Sequence, residues 1–240
     1  MTDVPNWLAL LISTATPVLP SALVLRWAQP LFWAVVLAFA ASMVLVRCRS
    51  RLRFTLVALA GLWSLVLGPW SPSWWLALAF QLPSWTTVLA SAWGLTQAWK
   101  SLSFKATTNV SQAPPSHTDR AGSGSAMVWL GLALGLLLML DMFILLPFNL
   151  YRWGFSGAAL ALLALGTAVA WLLADKGSAA RQHALLIGLA LALHVVTRLP
   201  SGNAFDAVID PWLWLVLLIR VAGRLVSRPG RHSTSTTTRG

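Results

Sequence analysis

The chain has 240 residues, 58% of them hydrophobic and only 10% charged, with a formal net charge of +11. An ordinary soluble domain is roughly 45–50% apolar and about 25% charged, and a fold of this size has no interior that could hide the excess, so lipid is the expected solvent. In lipid the backbone must pair internally, as helices or a closed barrel, and the apolar runs here are continuous and mostly longer than the alternating strands of about ten residues that a barrel uses.

The composition predicts an all-α, polytopic membrane helix bundle of about eight transmembrane helices. In the first half (1–99) the apolar runs cover 7–24, 31–46, 54–70 and 74–98. The first of them lacks the basic leader of a signal peptide and contains Pro17 and Pro20, so it reads as a retained helix. A polar segment rich in Ser, Thr, Pro and Gly (100–126) follows, read as a flexible cytoplasmic linker. Its Asn109-Val110-Ser111 sequon falls on the cytoplasmic side and reads as chance. The second half (127–227) has runs at 127–147, 154–174, 183–197 and 212–226, and 228–240 reads as a disordered cytoplasmic tail. Both halves place a basic loop after their second run and a Pro-Trp-rich start to their fourth, a pattern compatible with a parallel 4+4 duplication.

Orientation follows from the basic residues, which flank the apolar runs as head-group contacts do; no nucleic acid partner is expected. With both termini inside, the cytoplasmic segments hold Arg47, Arg49, Arg51, Arg53, Lys100, Lys105, Arg120, Lys176, Arg181, Arg224, Arg228, Arg231 and Arg239. The outer segments hold Arg26, Arg152 and Arg198, and thirteen against three is the asymmetry that sets topology. Arg47, Arg49, Arg51 and Arg53 are candidate contacts for lipid head groups or a partner. Nine of the fifteen tryptophans, Trp27 and Trp212 among them, fall at or near run ends, whereas Trp63, Trp85 and Trp93 fall deeper and are expected between helices.

Polar residues in or beside apolar runs are costly in lipid and therefore informative. Asp141 interrupts the fifth run, and His194 lies one helical turn before Arg198 at the outer end of the seventh. Asp206 and Asp210 stand four apart in the following loop and would share a face on a short helix. With Arg152, these residues form a candidate polar site at the outer face. The bland alternative is that the arginines tie the loops to the carboxylates and that Asp210, just before Pro211, caps the last helix. Gly131 and Gly135 make a G-x-x-x-G that permits close helix contact. The lone Cys48 excludes an internal disulfide. No metal-binding, nucleotide-binding or hydrolase motif occurs, so no cofactor or metal is expected and enzymatic activity is left open.

These features rank three functions. The first is an accessory or scaffold subunit of a larger bacterial inner-membrane complex, its partners the bilayer and other membrane subunits or further copies of itself. The second is a small transporter or lipid-handling protein with an outward-facing polar cavity. The third is a membrane enzyme acting on a lipid-linked substrate at the outer face.

Overall fold

A computed structural model describes residues 19–107 and 123–226. Every regular element among the described residues is a helix: α1 (Ala22–Val44, continued by a 3-10 turn, Leu45–Arg47), α2 (Ser50–Ser64), α3 (Pro72–Phe80), α4 (Trp85–Thr107), α5 (Ser123–Met142), α6 (Leu150–Trp153), α7 (Gly157–Leu173), α8 (Ala179–Thr197), α9 (Ala204–Val208) and α10 (Pro211–Val226). Serine starts several of them. The hydroxyls of Ser21, Ser71, Ser156 and Ser178 each accept a hydrogen bond from an N–H of the first turn of α1, α3, α7 and α8, satisfying a donor that the helix itself leaves unpaired.

Two helices, Ala22–Arg47 and Ala179–Thr197, are long and apolar enough to cross a membrane, with hydropathies of 2.0 and 1.4; Ala126–Met142 and Gly157–Leu173 are apolar but shorter. The fold is thus all-helical with two membrane-capable helices among the described residues, and the eight-span count goes beyond it. Most of the first expected run (7–18), the middle of the linker (108–122) with its sequon, and the tail (228–240) lie outside the described residues. Helical backbone enters both ends of the 100–126 segment, because α4 runs on to Thr107 and α5 begins at Ser123.

Two expected boundaries are redrawn. The second run starts at Ala22 rather than 31, because α1 passes straight through Arg26 and Pro30. Pro30 has no N–H for the carbonyl of Arg26, a defect that normally ends a helix; here Pro30 is buried with Ala28 and Phe32, and packing carries the helix across. The fourth run, expected as one span over 74–98, is two helices. It breaks at Gln81-Leu82-Pro83-Ser84, where Pro83 disfavours helical backbone at the residue before it and Gln81 adopts φ 60°, ψ −143°, a region that non-glycine residues occupy at a cost of about 1–3 kcal/mol. Hydropathy is blind to such a break because Leu82 and Pro83 do not interrupt the apolar run.

α1 packs on α2, α3 and α4; α8 packs on α7, α4, α5 and α9; α5 packs on α10. Ala28 and Phe32 of α1, Val88 of α4 and Leu199 after α8 form one buried cluster. The α5–α10 contact uses the G-x-x-x-G: a Cβ on Gly131 would lie 2.9 Å from Leu217 Cδ1, and one on Gly135 would overlap the Trp214 ring. At Gly135 a side chain has no room, whereas at Gly131 the tip of Leu217 can turn aside. Of the tryptophans expected between helices, Trp85 packs against the buried cluster of Ala28, Phe32, Val88 and Leu199, and the other two do not. Trp63 and Trp93 are exposed, and the most buried among the described residues is Trp33, whose indole N–H donates to the Gln81 carbonyl at 3.0 Å.

Candidate functional site

Asp210 is the joint of the site. It precedes Pro211 at the start of α10, and its Oδ1 accepts from the Leu213 N–H at 2.7 Å, a helix cap of the expected kind. Its Oδ2 accepts from the backbone N–H of Ser84, at the helix break, at 2.6 Å. Ser84 in turn caps α4, its hydroxyl accepting from the Thr87 N–H at 3.0 Å. One carboxylate therefore anchors the starts of two helices that are 126 residues apart in sequence. Thr86 reinforces the joint by donating its hydroxyl to the Ala207 carbonyl.

Asp141 behaves similarly. Near the C-terminal end of α5 it accepts from the N–H groups of Leu150 (3.1 Å) and Tyr151 (2.7 Å), and so caps the short helix α6. Asp206 differs: it holds side chains. Its Oδ2 accepts from the Tyr151 hydroxyl at 2.7 Å and from the Ser201 hydroxyl. Burial pushes the Asp206 carboxyl above the usual carboxylate range, opposed by those two hydroxyls and by the His194 side chain, with the charge of Asp210 adding to the rise. Burial, together with the Asp206 charge, likewise raises the Tyr151 phenol. Asn203, fully buried, fixes this corner: its amide donates to the Tyr151 carbonyl at 2.7 Å while its oxygen accepts from the Phe205 N–H.

The three aspartates line one cavity of about 750 Å³, whose walls come from the helix break (Ala79, Phe80, Gln81, Leu82), the last turns of α5 (Gly135, Leu138, Met139, Met142), Tyr151, Pro200, Ile209, Pro211 and Trp214. The remaining candidates stand elsewhere. His194 is buried behind the wall with Nδ1 2.9 Å from the Leu199 carbonyl, so it braces the turn after α8. Arg198 adopts left-handed backbone (φ 60°) as the C-cap of α8, and its N–H returns to the His194 carbonyl at 2.7 Å. Arg152 is exposed on α6 and does not line the cavity. Asp206 and Asp210 do not share a helical face, because α9 ends at Val208 and Asp210 belongs to the start of α10. At the other end of α1, Arg47, Arg49 and Arg51 are exposed, whereas an Arg53 guanidinium nitrogen donates to the Ser42 carbonyl at 2.8 Å.

Sequence reasoning missed Trp33, Gln81, Ser84, Ser201 and Trp214. Gln81-Leu82-Pro83-Ser84 carried a usable signal, since Pro83 inside a long apolar run marks a break. Among the described residues, no three His, Cys, Asp or Glu side chains converge as a metal-ligand set. Compared with family models, with curated proteins and with solved structures, the chain matches none.

Proposed function

We propose that this chain is a multi-pass protein of a bacterial inner membrane that binds and moves a small amphiphilic molecule through an outward-facing cavity. The observation that carries this reading is the cavity itself: about 750 Å³, apolar on most of its wall, with three carboxylates beside a broken helix. Pockets of this size suit a small organic ligand. Membrane transporters place their substrate and ion sites where a helix is interrupted, because only there do backbone groups become available inside lipid. A scaffold subunit, the first-ranked function from sequence, has no need of such a space. The enzyme reading needs Asp206, Asp210 and Arg198 to converge, but Asp210 is occupied by two helix starts and Arg198 does not line the cavity.

The eight-span topology with cytoplasmic termini is part of the same proposal. Its support is the thirteen-to-three distribution of basic residues and the exposure of large apolar side chains such as Leu162, Leu165 and Leu172 on α7, which lipid would cover. The polar corner and Arg47 lie far apart along α1: Phe32 belongs to the same buried cluster as Leu199, and fifteen residues of helix at about 1.5 Å each separate it from Arg47. Cysteine accessibility tests the proposal. In a Cys48→Ser background, Met139→Cys in the cavity should react with a membrane-impermeant maleimide added to spheroplasts. Lys176→Cys should react only after permeabilisation. Labelling of Met139→Cys only from the cytoplasmic side would refute an outward opening.

A further inference from the structure

We propose that the cavity takes a monovalent organic cation with a hydrophobic body, and that Asp206 is the residue that meets its charge. This rests on the cavity reading above and names the ligand class. Charge complementarity is the first argument. The described residues that line the cavity include Asp141, Asp206 and Asp210 and no Lys, Arg or His. Two helices, α3 and α5, also end at this wall, at Phe80 and Met142, and a helix C-terminus carries a partial negative charge that favours cations.

The second argument separates the three carboxylates. Asp141 and Asp210 each use both oxygens to hold backbone N–H groups, so their place is structural. In Asp206 both hydroxyl donors, Tyr151 and Ser201, converge on Oδ2, which leaves Oδ1 for a ligand. The third argument concerns the body of the ligand. Leu138, Met139, Met142 and Ile209 line the wall with Phe80 and Trp214; thioethers adapt to irregular apolar shapes, and aromatic faces attract ammonium and phosphonium groups. Among the described residues the carboxylates do not converge as a metal-ligand set.

The test uses two ions of equal shape and opposite charge. The full-length protein is placed in nanodiscs of zwitterionic phosphatidylcholine, and binding of tetraphenylphosphonium and of tetraphenylborate is measured by equilibrium dialysis against empty nanodiscs. The expected result is saturable binding of the phosphonium alone. Asp206→Asn, which keeps an acceptor for both hydroxyls, should weaken it by about tenfold or more, and Met139→Trp, which puts a bulkier ring into the cavity wall, should weaken it too. Binding of the borate as tightly as the phosphonium overturns the cation assignment and leaves the cavity reading standing. Binding of neither ion overturns both. Equal phosphonium binding by Asp206→Asn and the unaltered protein overturns the role given to Asp206.

Discussion

Replacing Asp210 with alanine removes two hydrogen bonds from two different helices at once. The cap on α10, to the Leu213 N–H, is worth about 1 kcal/mol. The second bond leaves the buried Ser84 N–H without an acceptor, which costs about 1–3 kcal/mol, so Asp210→Ala should destabilise the protein by roughly 2–4 kcal/mol in total. Asp210→Asn keeps one carbonyl oxygen and turns an N–H₂ group toward the other donor, and should fall between the two. Reversible unfolding in mixed detergent measures the loss. Amide hydrogen exchange locates it: protection should drop together near Ser84–Val88 and near Leu213–Leu215. A loss below about 0.5 kcal/mol, or exchange that rises at only one of the two places, refutes the idea that a single carboxylate fastens both helix starts.

Gly135→Ala should lower the unfolding midpoint, because its Cβ overlaps Trp214, by an overpacking cost of about 1–3 kcal/mol; Gly166→Ala, with open space around it, should raise stability by roughly 0.5–1 kcal/mol from helix propensity. The Asp206 carboxyl is raised in the folded protein by burial, so protonation favours the fold. Its contribution is fully present below the unfolded carboxylate range and is lost as pH rises through the folded value; a pH series of melting curves should show this slope, and Asp206→Asn should flatten it. Tyr151, Ser201, His194 and Asp210 surround the group, so the slope should be compared with that of a His194→Gln variant, which removes the neighbouring imidazole. Arg47→Ala, Arg49→Ala and Arg51→Ala should each weaken the preference of the nanodisc-embedded protein for anionic over zwitterionic lipid by about 1 kcal/mol without loss of stability. Arg53→Ala should instead cost stability, through the bond to Ser42.

The all-helical class of the fold was legible because the apolar runs are continuous rather than alternating, and the capping role of Asp210 was legible because Asp-Pro at a helix start is a local signal. Asp141 was visible as a charge in an apolar run, but its partners, the amides of Leu150 and Tyr151, are set by how the chain turns after α5. His194 and Arg198 attracted notice for the same reason as Asp141, yet the turn after α8 uses the His194 ring and the Arg198 backbone as scaffolding. The break at Gln81 was hidden because hydropathy sums side chains and is indifferent to backbone direction. Trp33 was unremarkable in sequence; only the break supplies the bare carbonyl that its indole N–H meets.

The two ends of that break are tethered to different helices: the Gln81 carbonyl to α1 through Trp33, and the Ser84 N–H to the start of α10 through Asp210. Leu82 and Pro83 are all that lies between the tethers, and proline fixes its own φ. Any sliding of α1 against α10 is therefore concentrated in very few backbone rotations, beside the cavity wall. Mechanically, this short segment is a coupling link: a displacement of α1 against α10 would be felt first at Gln81 and Leu82, which are part of the cavity wall.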